Sequence, residues 1–258
     1  MPDTRIVAVA NQKGGVGKTT TAINLGAALA EQGQRVVIID LDPQGNASTG
    51  LGVPLEDREL TSYDLLTGEP MVQDMLRDTA IANLCIVPAN SDLASADVEL
   101  SSRAGRTQLL RRKLTNPGEF DYILIDCPPA LGLLTVNAMV AADSVLVPLQ
   151  AEFYALEGLS QLLMTVREVR QTANPDLRIE GVLLTMSDNR NNLSQQVEAD
   201  ARSTLSGLVY QTVIPRNVRL SEAPSHAMPV LQYDPNSKGS QAYRELAKEF
   251  LSRQLATA

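Results

Sequence analysis

Two lysines and three glycines share one short segment, Asn11-Gln12-Lys13-Gly14-Gly15-Val16-Gly17-Lys18-Thr19-Thr20. It follows the apolar run Ile6–Ala10 and leads into helix-forming Ala22-Ile23-Asn24-Leu25. Strand, glycine-rich loop, Lys-Thr pair and helix together form a phosphate cradle. Gly14, Gly15 and Gly17, with Val16 between them, let successive backbone N–H groups turn toward phosphate oxygens, and the N-terminus of the next helix adds partial positive charge. Lys18 then reaches the β- and γ-phosphates, Thr19 offers its hydroxyl to Mg²⁺, and Thr20 completes the nucleotide-binding set. A nucleoside triphosphate and Mg²⁺ are the expected ligands. The plainer alternative, an ordinary glycine-rich turn, is disfavoured by the strand and helix on either side.

Carboxylates suited to the same chemistry end two other apolar runs. In Val36-Val37-Ile38-Ile39-Asp40-Leu41-Asp42-Pro43, the two aspartates point the same way if the strand continues. At the C-terminal end of a parallel strand they face the crevice that holds the phosphate loop. Tyr122-Ile123-Leu124-Ile125-Asp126 is a buried-strand pattern ending in an acid, so Asp126 can hold Mg²⁺ through its water shell.

These groups need a scaffold, and the hydrophobic pattern supplies one. Continuous apolar runs at Ile6–Ala10, Val36–Asp40, Leu84–Pro88, Tyr122–Asp126, Ser144–Leu149, Ile179–Leu184 and Leu208–Val213 read as strands buried on both faces. Stretches of helical period separate them: Thr19–Gln32, Ala94–Leu114, Leu134–Ala141, Leu156–Thr172, Leu193–Thr204 and Ser240–Leu255. The alternation predicts an α/β fold, a mostly parallel twisted sheet with helices on both faces. No linker or repeat divides the chain, so residues 1–258 are expected to form a single domain built around the phosphate loop (P-loop). Its C-terminal docking helix, about 240–255, carries Tyr243, Leu246, Ala247, Phe250, Leu251 and Leu255 on one face and mixed charges on the other.

A standard phosphate loop would place glycine at position 12, where this chain has Gln12 followed by Lys13. The segment Lys13–Thr19 resembles the deviant Walker A motif of partition and septum-site ATPases. The resemblance implies that Lys13 acts in trans, reaching the partner's phosphates across a nucleotide-sandwich homodimer, while Lys18 acts in cis. It makes Asp42 the residue that positions or activates the attacking water, and Asp40 a support for the metal and its waters. Pro128-Pro129-Ala130-Leu131-Gly132 is similar to the family's switch II segment. Asp42-Pro43-Gln44-Gly45-Asn46, Ala155-Leu156-Glu157-Gly158-Leu159 and the stretch Val213–Ser225 resemble chromosomal ParA proteins of the short Soj type, over about residues 5–250.

From this resemblance, Pro215 and Asn217 are expected against the adenine, as an apolar face and a donor-acceptor pair for the base edge. Arg190 and Arg219 are expected to contact DNA phosphates without reading sequence. Bare residue reading would make Pro215 and Asn217 a simple turn and both arginines solvated charges. The family implies an ATP hydrolase that binds non-specific double-stranded DNA as an ATP-bound dimer. A ParB/Spo0J-like centromere-binding partner would stimulate hydrolysis and release the DNA. The short N-terminus leaves no room for the helix-turn-helix domain of longer plasmid relatives.

Three rivals share the phosphate loop. A membrane-cycling MinD-like septum positioner needs a basic amphipathic tail, which Gln254–Ala258 does not supply. An iron-protein reductase needs cluster cysteines, and Cys85 and Cys127 lie in strand-like text. A ParA-like positioner of a protein cargo shares every motif.

Composition sets the outer limits. The chain has 258 residues, 22 Lys+Arg against 30 Asp+Glu and a net charge of −8, so nucleic acid binding requires a local basic patch. Two cysteines suit a reducing compartment, no apolar stretch is long enough to span a membrane, and no signal sequence is visible. The expected location is cytoplasmic and nucleoid-associated, with no membrane partner. The cluster Arg103, Arg106, Arg111, Arg112 and Lys113 spreads over more than one helical face, which favours solvation and local pairing, with a secondary DNA contact as the alternative. His226 lacks the partners of nucleophilic catalysis.

Overall fold

The computed structural model describes residues 4–152, 155–188 and 190–257; Asn189 of the predicted DNA loop, Met1–Asp3 and Ala258 lie outside it. The side chains of Asp97, Ala155, Leu156, Glu157, Leu193 and Leu255–Thr257 lie outside it as well. Seven strands, β1 (Arg5–Val9), β2 (Val36–Asp40), β3 (Arg77–Asp78), β4 (Leu84–Val87), β5 (Tyr122–Asp126), β6 (Ser144–Gln150) and β7 (Arg178–Thr185), form one sheet in the order β3-β4-β2-β5-β1-β6-β7. All neighbours are parallel except the two-residue edge strand β3.

The reason for unbroken apolar strands is visible in the core. Ile6 and Ala8 of β1, with Ile123 and Ile125 of β5, pack into one cluster, while Val7 and Val9, with Tyr122 and Leu124, pack into another on the opposite face. Helices cover both faces, so neither set of alternate residues meets water. Helix α1 (Lys18–Glu31) lies on the second face, and the C-terminal helix Lys238–Thr257 docks beside it through Tyr243, Leu246, Ala247 and Phe250, all buried. The Tyr243 and Thr21 hydroxyls lie 3.2 Å apart, and the rings of Tyr122 and Phe250 meet edge-on at 5.4 Å.

Two expected elements are replaced. Leu208–Val213 is not a strand: Val209 makes only an isolated bridge to Val182. The N–H groups of Gln211 and Thr212 donate to the Glu249 carboxylate, both at 2.8 Å, rather than to a strand, so the ladder stops there. The single helix predicted over Ala94–Leu114 is broken into short turns around Ala96–Glu99 and Leu109–Lys113. Asn137 explains the break, because its Oδ1 accepts from the N–H groups of Leu109 and Leu110 and starts a new helix there. The basic cluster therefore spreads over a broken segment, where Lys113 donates to the Gly68 and Glu69 carbonyls and Arg111 to that of Ala173.

Candidate nucleotide site

The phosphate loop leaves β1, the neighbour of the central strand β5, and turns into α1 at Gly17, whose φ of +87° is left-handed backbone that suits glycine. Two side chains fasten the loop to neighbouring strands. Asn11 donates to the Pro148 carbonyl at 2.7 Å and accepts the Lys13 N–H at 3.0 Å, and the Thr185 hydroxyl donates to the Val16 carbonyl at 2.8 Å. The sheet thus pre-forms the cradle.

The two lysines occupy different environments. Lys18 is buried, its ammonium 3.2 Å from the Lys13 carbonyl. Burial lowers its pKa, opposed chiefly by the charge of Asp126. Lys13 faces outward, with a side chain 40% exposed and an ammonium 2.7 Å from Glu152, which is 48% exposed.

Three aspartates converge beneath the loop. The Asp126 carboxylate is fully buried and neither oxygen accepts a hydrogen bond of ordinary geometry. Burial pushes its pKa well above the usual carboxylate range, and Asp40 and Asp42 add to the shift, whereas Thr19 and Lys18 oppose it. A buried, orphaned carboxylate beside a threonine hydroxyl and an ammonium fits a hydrated divalent cation.

Asp40 ends β2, and its oxygens are already engaged. One accepts from the N–H and hydroxyl of Ser48, at 2.9 and 2.7 Å, and the other from the Asp42 N–H at 3.1 Å. Burial raises its pKa to about 6. This carboxylate therefore clamps the loop between β2 and helix α2 (Asn46–Gly50). Asp42, nearly buried, uses one oxygen to accept the Gln44 N–H at 3.0 Å; the other has no hydrogen-bond partner among the described residues.

A buried arginine absent from the sequence reading completes the clamp. Arg58 donates to the carbonyls of Val53 and Ala89 and to the Thr49 hydroxyl, and a Cβ at Gly45 would run into its Nη1 and fall 2.9 Å from the Ala89 carbonyl oxygen. Gly45, at φ +62°, therefore has both steric and conformational reasons to be glycine. Ser48, Asn11 and Glu152 were missed too. Asn11 and Glu152 take their roles from partners 137 and 139 residues away, Pro148 and Lys13, which no local pattern shows; Ser48, eight residues after Asp40, is the one of the three within reach of a local motif.

Pro215 and Asn217 line a cavity of about 360 Å³ together with Gly17, Thr20, Thr185 and Tyr243. The position next to the phosphate loop suits a base. Asn217 is also the N-cap of the short helix Val218–Glu222, its oxygen accepting the Arg219 N–H at 2.8 Å, which leaves its amide N–H groups available.

Arg190 and Arg219 are exposed, and local carboxylates hold both. Arg190 makes two side-chain bonds of 3.0 Å to Asp188, and Arg219 lies 2.8 Å from Glu222 and 3.3 Å from Asp234. Arg219 sits on the helix Val218–Glu222 rather than in a loop. His226 stacks on Tyr233 with ring centroids 4.8 Å apart. Among the described residues, no helix is long and apolar enough to cross a membrane.

Comparison with known proteins places the whole chain. A family profile described as an AAA domain matches residues 4–179. The chromosome partitioning protein ParA of Caulobacter vibrioides is 56% identical over 253 residues, covering 97% of this chain and 95% of that protein. The sporulation initiation inhibitor protein Soj of Bacillus subtilis is 54% identical over 246 residues, 95% of this chain and 97% of that one. Among solved structures, a Mycobacterium smegmatis protein described as cobyrinic acid a,c-diamide synthase, with bound ADP and magnesium, superposes with a TM-score of 0.87 at 41% identity, covering 99% of this chain and 97% of that one.

Proposed function

From the chain's membership of the ParA/Soj family of chromosome-partitioning proteins, we propose that it hydrolyses ATP to switch its hold on DNA. The ATP-bound homodimer grips non-specific double-stranded DNA, and a ParB/Spo0J-like partner stimulates hydrolysis and release. The observation that carries this reading is the division of labour between the lysines. Lys18 is buried within its own chain's acidic cluster, whereas Lys13 projects outward to a surface carboxylate. An exposed cation beside a phosphate loop is placed to serve a second subunit, which would tie chemistry to dimer formation.

This reading gives each group a role. Lys13–Thr20 hold the phosphates, Thr19 and Asp126 hold Mg²⁺ (Asp126 through water), and Asp42 directs the attacking water with its unengaged oxygen. Mg²⁺, when bound, neutralises charge developing between the β- and γ-phosphates. Asp40 fixes the loop that carries Asp42. Pro215 and Asn217 receive the adenine, and Arg190 and Arg219 meet DNA phosphates. A net charge of −8 makes a single chain a poor DNA ligand, so pairing is needed to gather enough positive charge. The protein would work in the cytoplasm on the nucleoid. Identity of 56% to a partition protein, against 41% to the diamide synthase, favours partition over amide synthesis.

The test is co-sedimentation with random-sequence duplex in ATP, ADP or no nucleotide, at low and moderate salt, beside Arg219→Ala. ATP-dependent, salt-sensitive binding that the variant loses is the expected result. An ATP-dependent dimer that ignores DNA would instead indicate a membrane or protein-cargo positioner.

A further inference from the structure

Beyond the two arginines already assigned to DNA, we infer that a polar groove behind the adenine cavity seats DNA backbone phosphates, with Arg216 and Lys238 as its additional contacts. The inference rests on the DNA-carrier reading and extends it to a defined surface. The groove is a cavity of about 630 Å³ lined by Asp188, Arg190, Pro215, Arg216, Lys238 and Glu245, among others. Its cations come from separate places: the loop after β7, the turn at Pro215, and the first residue of the C-terminal helix. Asp188 is occupied by Arg190, which grips it with both side-chain nitrogens in reach. Among the described residues, Arg216 and Lys238 make no ion pair, and both are exposed. Arg216 also bears on Asp188 through its charge, and Glu245 is the other acid of the lining, so Arg190, Arg216 and Lys238 outnumber the carboxylates; in an acidic chain such a local excess of cations marks a seat for an anion. Lysine and arginine suit phosphate oxygens there and need no base contact.

The groove shares a wall with the adenine cavity, since Pro215 and Arg216 line both. That wall is tied to the loop carrying Asp188 and Arg190 by two backbone hydrogen bonds, Ser187 N–H to the Ile214 carbonyl at 3.1 Å and Arg216 N–H to the Ser187 carbonyl at 3.0 Å. A base resting on Pro215 therefore bears on the segment that presents Arg216 and Arg190 to DNA. Coupling of this kind is reciprocal, so DNA should also tighten ATP binding.

Lys238 lines the groove but not the adenine cavity, which makes it the discriminating position. Duplex affinity of the ATP-loaded full-length protein is measured across a salt series for wild type, Lys238→Gln, Asp188→Asn and Arg219→Ala, with ATP affinity measured in parallel. Lys238→Gln should keep wild-type ATP affinity, weaken DNA binding at least threefold, and lower the slope of log affinity against log salt by about 0.9 for each phosphate no longer neutralised. Asp188→Asn keeps the oxygen that accepts the backbone N–H and Nε–H of Arg190 but removes the acceptor of its Nη2 and the opposing charge, so the guanidinium is more easily drawn to phosphate and DNA affinity should rise about two- to fivefold. A misfolded variant would not produce that gain. If Lys238→Gln and Asp188→Asn both match wild type while Arg219→Ala loses binding, the groove assignment is wrong and the DNA-carrier reading survives. If wild type ignores DNA in every nucleotide state, both fail.

Discussion

The outward lysine gives a quantitative handle on dimer formation. In the single chain Lys13 is paired with Glu152 at 2.7 Å, and Gln150 steadies the carboxylate from its other oxygen at 2.5 Å. To reach a partner's phosphates, Lys13 must leave that pair. The pair is short, but with side chains 40% and 48% exposed it is well screened by solvent. Its net worth falls in the range of about 0–1 kcal/mol measured for exposed ion pairs. A symmetric dimer breaks two of them, so Glu152→Gln should favour the ATP-bound dimer by about 0–2 kcal/mol, at most roughly thirtyfold in the dimerisation constant. Lys13→Ala should abolish the dimer instead, because the cation between the phosphates is then missing. Sedimentation equilibrium with a non-hydrolysable ATP analogue, at low and moderate salt, reads both effects, and the Glu152→Gln gain should shrink as salt rises. Weaker dimerisation in Glu152→Gln, or wild-type dimerisation in Lys13→Ala, would refute the assignment of Lys13 to the second subunit.

Other consequences are open to direct measurement. Asp42→Ala should retain ATP binding and the dimer while phosphate release falls by about 10²-fold or more; normal turnover would remove Asp42 from the water-directing role. Gly45→Ala forces left-handed backbone on alanine, about 1–2 kcal/mol, and drives its Cβ into Arg58. Allowing for one or two of the guanidinium's hydrogen bonds, the loss should be about 3–5 kcal/mol, read from the urea midpoint, and a loss below about 1 kcal/mol would contradict the packing. Asp40 and Asp126 have raised folded-state pKa values. Their protonated forms therefore favour the nucleotide-free fold at acid pH, a contribution that fades as pH rises through about 6 for Asp40 and that Asp126, also raised by burial, likewise loses with rising pH. Asp126→Asn should accordingly raise the melting temperature of the nucleotide-free protein more at pH 7.5 than at pH 5. Equal increments at the two pH values would show that Asp126 is not held against its charge.

The local patterns were legible for a physical reason: each depends on contacts within a few residues. The apolar run Tyr122–Asp126 is a strand over the expected span because a doubly covered strand must be apolar at every position, and its terminal acid faces the ligand crevice by the geometry of parallel sheets. Gly17 and Lys18 likewise announce a loop-to-helix phosphate cradle through their spacing alone. Where distant groups compete for the backbone, periodicity misled. Asn137 cuts a predicted helix at Leu109, and Glu249 takes the N–H groups of a predicted strand.

The same distinction runs through the site. Residue types identified the phosphate loop, the acidic partners and the basic residues, because each chemistry demands particular functional groups in a particular order. Only the tertiary structure shows that Arg58 locks Gly45 in place, that Asp40 spends its oxygens on Ser48 and Asp42, that Lys13 rests on Glu152, and that Arg216 and Lys238 share a groove. Those pairings join segments brought together by packing, and a one-dimensional pattern carries no record of which carboxylate will stand next to which cation.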